Sequence, residues 1–233
     1  MEMDPNTARE FWKALMDNAT GLIADAHALL ERGSFGRARS LTVLAQEELG
    51  KALWIYEGFE QSWTTGCEEV QNVPRLTADG RHHAVKYMEA FVFGQELAAF
   101  WGNYEAIELP ADESQDGWDA LLARKKIDAE VAGRSANQEK MAGFYVDLDM
   151  AVHAIRSPAQ VLAGTIDADL HTAAQVIEML LIKDHSRMKL EAQTTYDSTH
   201  EQQRVLLPVS HPEEWRETSE EFRRSYGSKS SET

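Results

Sequence analysis

Apolar residues recur at helical spacing through most of the chain, and the longest such pattern runs from Ser34 to Phe59, SFGRARSLTVLAQEELGKALWIYEGF. Ala38, Leu41, Thr42, Ala45, Leu49, Ala52, Ile55 or Tyr56, and Phe59 make one continuous stripe, as on a helix that packs one side into a core. Glu48 falls inside that stripe. Glu47 lies one residue round, near Val43, Lys51 and Trp54, with i,i+4 spacing to Lys51 for a surface ion pair. A carboxylate on a buried face needs a partner, because an unpaired buried charge costs several kcal/mol. The pattern therefore requires a group elsewhere in the chain that reaches Glu48.

The flanking patterns predict further helices. Thr7 followed by Glu10 reads as a capping box before Phe11, Leu15, Asn18, Leu22, Ala26 and Leu29, and Gly33 is a stop signal. The short connection through Gly33 and Ser34 makes these two helices antiparallel neighbours. Residues 64–80 carry glycines, a proline and scattered polar groups, which is loop chemistry. Asp79 or Thr77 could cap a third helix that presents His83, Tyr87, Ala90, Phe93 or Gly94, Leu97 and Trp101 on one side.

An acidic loop ends at Gly117. Trp118, Leu121, Leu122, Lys125, Ile127 and Val131 then give an imperfect helical pattern, with a break or exposed turn expected between Gly133 and Gln138. The segment KMAGFYVDLD is read as short strand or loop. Ser157 and Pro158 are an N-cap with proline at the first helical position, so a long helix is expected from there. It carries Val161, Leu162, Ile166, Leu170, Ala174, Ile177, Leu180 and Leu181 inward and continues towards His200. Pro212 starts a last short helix anchored by Trp215 and Phe222, and the last seven residues are expected to be disordered. No repeat and no dependable strand ladder is visible. The fold expected is all-α, an up-and-down bundle over residues 1–203 with additional C-terminal helices in an extension over 204–233.

Composition narrows the function. The 233 residues are 43% hydrophobic with mean hydropathy −0.45. No segment approaches the roughly 18 uninterrupted apolar residues of a membrane span, and the acidic N-terminus lacks the apolar core of a signal peptide, so a cytoplasmic protein is expected. A net charge of −16 opposes a generic polyanion-binding surface. The single cysteine, Cys67, excludes an intrachain disulfide and a cysteine-based zinc site. No phosphate-binding glycine loop and no nucleophile elbow is present. Tryptophans such as Trp54, Trp63 and Trp101 read as core or interface filling, and the run Arg124, Lys125, Lys126 as a solvated face.

The run Ala38 to Lys51 with LAQEELGK at its centre, the helix opening with His83 and Lys86, and the later Lys140, Phe144, Tyr145, Val146, Asp147 and Pro158 resemble the abortive-infection AbiV family. That family is a branch of the HEPN helical bundles, and the likeness covers roughly residues 19–174. The resemblance implies an antiphage role exerted through impaired translation, by contact with a phage or host protein or a ribonucleoprotein. It also implies a homodimer. It supplies His83 or Lys86 as the group that meets Glu48 or Glu47 across a helix seam. Such a set with Lys51 could be a polar lock for helix docking or a polar site.

HEPN ribonucleases carry an Arg, four to six residues, then a His, and act without metal on RNA. Arg75 with His82 has that spacing, as does Arg204 with His211. In a ribonuclease reading His82 or His83 is the base, and Arg75 or Lys86 stabilises the phosphate. A third reading is a metal-binding bundle. No Glu is followed three residues later by His, leaving Asp167, Asp169, His171, Asp184 and His185 as scattered ligands. No cofactor and no metal is expected.

Overall fold

The structure is a computed structural model that describes the chain except residues 98–99, 101–103, 105–106, 152, 191–194 and 228–233, and except the side chains of 222–227. It is all-α. The helices are α1 (Pro5–Glu31), α2 (Phe35–Thr65), α3 (Pro74–Ala78), α4 (His83–Leu97), α5 (Gln115–Phe144), α6 (Ile166–Leu190), α7 (Gln203–Ser210) and α8 (Pro212–Gly227). Two small antiparallel ladders accompany them. β1 (Glu2–Met3) pairs with β2 (Gln71–Asn72), and β3 (Asp147–Asp149) with β4 (Ala154–Arg156).

The second helix is the axis of the bundle, and α1, α4, α5 and α6 all pack on it. Its expected stripe is buried at Ala38, Thr42, Ala45, Leu49, Ala52, Ile55, Tyr56 and Phe59, with Leu41 half-buried. A second row is buried as well: Gly36, Ser40, Val43, Glu47, Gly50 and Trp54. These follow one another at three- and four-residue steps, so α2 has a second inward face, and that face meets α4 and α5. A central helix has no solvent side opposite its main stripe.

Small residues let the second face come close to its neighbours. A Cβ at Gly50 would strike the carbonyl of Lys86 on α4, and one at Gly143 on α5 would strike the carbonyl of Gly36. Ser40 Oγ donates to the carbonyl of Lys140 across the same seam at 2.8 Å. The other side of α2 holds the main core. Trp12, Leu15, Met16, Ala19 and Ile23 of α1 pack there with Leu170, Ile177, Leu180 and Leu181 of α6, and with Leu206 of α7.

Several boundaries differ from the sequence reading. The first helix is capped by Asp4, whose carboxylate accepts from the Asn6 and Thr7 backbones, with Pro5 in the first turn; this displaces the expected Thr7 box. Its buried face runs through Trp12, Met16, Ala19 and Ile23, about one residue round from the expected stripe, and Asn18 is exposed. The segment 64–80 is not all loop, because it contains β2 and α3. The fourth expected helix continues unbroken through Gly133–Gln138, since Gly133 fits against Ala84 and Met88 of α4 without ending the helix. Ser157 does make a capping box, but only for a turn at Pro158–Gln160. Leu162 is exposed, Gly164 takes φ 50°, and α6 starts at Ile166. Trp215 is 41% exposed, whereas Trp101 and the Phe222 side chain lie outside the described residues. Among the described residues no helix is long and apolar enough to cross a membrane.

Candidate functional site

The second face of α2 carries one carboxylate, Glu47, 2% exposed. Three cationic or titratable side chains from two other helices converge on it. His83, at the first turn of α4, places Nδ1 at 2.6 Å from Glu47 Oε2. Lys86, one turn further on the same helix, brings Nζ to 3.4 Å from the same oxygen. Lys140, near the end of α5, donates from Nζ to Oε1. Both lysine side chains are 7% exposed, whereas that of His83 is 53% exposed.

Local sequence explains each placement. Lys86 stands where the α4 backbone touches Gly50, so its stem is trapped between the two helices. Lys140 is held by the Ser40 hydroxyl on its carbonyl and lies one turn before Gly143, the other close approach. With Nδ1 engaged by the carboxylate, the exposed imidazole is left with Nε2 as its nitrogen facing solvent. The arrangement is a half-exposed histidine oriented by a buried carboxylate beside two buried ammonium groups. Such a set can move a proton, hold an anion, or fix how α4 and α5 dock on α2.

The other residues singled out in the sequence fall elsewhere. Glu48, expected to be the buried carboxylate, is 20% exposed at its side chain and pairs with Lys51 at 2.7 Å. Lys51 therefore belongs to Glu48 at i,i+3 and not to Glu47 at i,i+4. The reason is the second inward face of α2, which buries Glu47 more deeply than the rim of the first face buries Glu48. Arg75 pairs with Glu89 at 2.6 Å and lies over the Trp54 ring at 4.5 Å. His82 is exposed, 4.0 Å from Asp79. Arg204 is exposed, and His211 meets Glu178 at 3.0 Å. Arg75 and His82 thus have different acidic partners.

The possible metal ligands are dispersed. Asp169 binds Arg39 and Thr165, His171 binds the Val209 carbonyl at 2.9 Å, and Asp184 binds Arg9 and Arg187. Among the described residues no group of three or more His, Cys, Asp and Glu side chains is placed to hold a metal ion.

Sequence reasoning on α2 did not assign Lys140 to this site, although it had noted that residue. Nothing in spacing links it to Glu47, because the two are 93 positions apart. The available signal was Gly36 and Ser40 on α2 with Gly143 on α5. Small residues at helical spacing mark a seam along which two helices touch, and Lys140 lies inside it.

The helices packed on α2 around a buried ionic centre define an all-α bundle, and its sequence match places it in the HEPN type. The sequence model of the AbiV group within that type matches residues 7–178, and the chain belongs to the AbiV family. The match includes every helix that contributes to the Glu47 centre. No curated protein and no solved structure matches the chain.

Proposed function

We propose that this AbiV-family chain is an antiphage protein that binds a phage or host partner of translation, docking it on the exposed apolar surface at the end of α5. The observation that carries this reading is that surface itself. On α5, Ile127, Val131 and Met141 point outward from the same side of the helix and are 58%, 52% and 49% exposed. Beyond the helix Tyr145 and Val146 are exposed, and the β3–β4 hairpin pairs Leu148 with Ile155, at 51% and 65% exposure. Several large apolar side chains that the folded chain leaves open, as at Met141, Tyr145, Val146, Leu148 and Ile155, are characteristic of an interaction site.

The experiment is restriction of phage growth by bacteria expressing the wild type or a Leu148→Asp, Ile155→Asp variant. Both positions are exposed, so helicity and thermal stability should be retained while restriction and the accompanying fall in protein synthesis are lost. Restriction by the variant at the wild-type level would overturn the reading. The same face would serve a homodimer, and sedimentation of the two proteins separates self-association from capture of a partner.

A second reading, a metal-independent ribonuclease, is favoured by the His83 to Glu47 contact. A carboxylate on Nδ1 leaves Nε2 to take the proton of a ribose 2′-hydroxyl, with Lys86 near the phosphate. It requires RNA cleavage in EDTA that is lost in His83→Ala and kept in His82→Ala. Absence of cleavage with phage partner present removes this reading and leaves the docking reading untouched.

A further inference from the structure

We infer that the cavity between α2, α4 and α6 is a binding site for a small aromatic monocarboxylate, with Lys125 of α5 as the partner of its carboxylate. The cavity has a volume of about 450 Å³, within the range of small-molecule sites. Leu49 of α2, Ala90 of α4, and Ala173 and Val176 of α6 make its apolar lining. Gly94 of α4 adds bare backbone; a Cβ there would come within 3.2 Å of Val176 Cγ2, so α4 and α6 approach one another at this point. Glu47, His83, Lys86 and Lys140 do not line the cavity, which is therefore separate from the ionic centre.

One wall is aromatic. Tyr87 and Phe91, one turn apart on α4, both line the cavity, and their rings stack with centroids 6.0 Å apart and planes inclined by 21°. A flat ring laid against such a pair gains aromatic contacts beyond the burial of its area. Beside this wall lies the amide of Gln46, a residue 7% exposed, with the Tyr87 hydroxyl as its polar neighbour. A primary amide offers two donors and two acceptor lone pairs, so one hydroxyl leaves most of them unclaimed in a cavity that Gln46 lines. Burial pushes the Tyr87 phenol up to about 12, which keeps its hydroxyl neutral near pH 7. An apolar lining with two fixed, uncharged polar groups suits a planar ring that carries a polar edge.

Charge at the rim selects the head group. Among the described residues the charged groups lining the cavity are Glu108, Lys125 and Asp169. Arg39 holds Asp169, and Arg124 holds Glu108 at 2.8 Å. Glu139, which shares Arg39, does not line the cavity. Lys125, half-buried, has no carboxylate partner among the described residues. One uncompensated ammonium matches a single negative charge. A phosphate dianion would bring its second charge towards Asp169 and Glu108, which repel it, and a lone ammonium supplies no fork of donors to offset that.

The test is calorimetric titration of the full chain with three probes: indoleacetate, which has ring and carboxylate, indole, which has the ring alone, and hexanoate, which has the carboxylate alone. One saturable site per chain is expected for indoleacetate, with affinity lower by about tenfold or more for each of the other two. Lys125→Met should weaken indoleacetate to the level of indole and leave indole itself unchanged. Thr172→Trp, at an exposed position that lines the cavity, should block all binding by filling the space. No saturable binding of indoleacetate to the wild type up to about 1 mM overturns the inference. Equal affinity for indole and indoleacetate overturns it too, as does wild-type binding by Lys125→Met or by a folded Thr172→Trp. If Thr172→Trp fails to fold, the side-chain amide resonances of Gln46 in the wild type decide: they must shift on saturation with indoleacetate, and unmoved resonances overturn the inference.

Discussion

Two buried ionic clusters lie against different parts of α2, and their charge balance differs. Towards its C-terminal end, Arg9 of α1 makes a bidentate pair with Asp184 of α6 at 2.9 and 2.7 Å and also binds Asp197. Arg187 binds the same Asp184 at 2.8 Å. Two cations meet two carboxylates, and the guanidinium of Arg9 lies over the rings of Trp12 and Trp63 at 4.7 and 5.4 Å. Aromatic packing closes the cluster. The Glu47 cluster has two lysines and a histidine on a single carboxylate, with the histidine open to solvent. The first is balanced in charge and locks α1 to α6, although Arg187 Nη1 is buried without a hydrogen-bond partner. The second holds α2, α4 and α5 together with more cationic groups than carboxylates and a histidine open to solvent, and this separates it from the charge-balanced first cluster.

The largest effect should come from removing the shared carboxylates. Glu47→Gln strands two ammonium groups and should cost about 3–5 kcal/mol, the usual penalty for breaking a buried pair. Asp184→Asn should cost less, because Asp197 still holds Arg9. Urea unfolding followed by circular dichroism measures both, and the reverse order would mean that Glu47 is better compensated than its partners indicate.

Next in size is Gly50→Ala. The added Cβ meets the backbone of Lys86, so α2 and α4 must separate; a loss of about 1–3 kcal/mol is expected for such overpacking. The same change at Gly21, which has open space around it, should be neutral or slightly stabilising. Thermal melts of the two variants measure the difference, and equal melting temperatures would contradict the expected overpacking at Gly50.

A smaller effect separates the clusters by pH. Burial pushes the Asp197 carboxyl up, but hydrogen bonds from Thr199 and Arg9 outweigh it and hold the carboxyl below its usual 3.8. A depressed folded value means that the contribution to stability is present above the ordinary carboxyl range and is lost as pH falls below it. Asp197→Asn should therefore flatten the acid limb of the stability profile while leaving the slope near neutrality unchanged. The smallest effect is expected for Glu48→Gln, within about 0.5 kcal/mol, since its pair with Lys51 is a partly exposed helix contact.

The contrast also shows what the amino-acid pattern could reveal. The main stripe of α2 was legible because it is long, apolar and helical in period, and those residues are buried as expected. The position of the buried carboxylate was not, because periodicity marks the strongest apolar face and passes over a second one built from Gly36, Ser40 and Gly50. Small residues carry little hydropathy, yet they set the distance between helices. The capping signal at Ser157 was correctly readable as a cap, but a cap states where a helix can begin and not how far it runs. Of the site itself, His83 and Lys86 were found through family likeness, while Lys140 needed the α5 to α2 contact that only the fold provides. Asp4 displaced Thr7 as the first cap because Pro5 favours the first helical turn and fixes the register.

The central claim is that Glu47 is the energetic hub of the α2, α4 and α5 seam. A double-mutant cycle of Glu47→Gln and Lys140→Met, read by urea unfolding, tests it most directly. The account predicts strong destabilisation by Glu47→Gln and partial recovery when Lys140 is also removed, with a coupling of about 1–3 kcal/mol. Additivity within about 0.5 kcal/mol would contradict it, because two residues that share a buried contact cannot act independently.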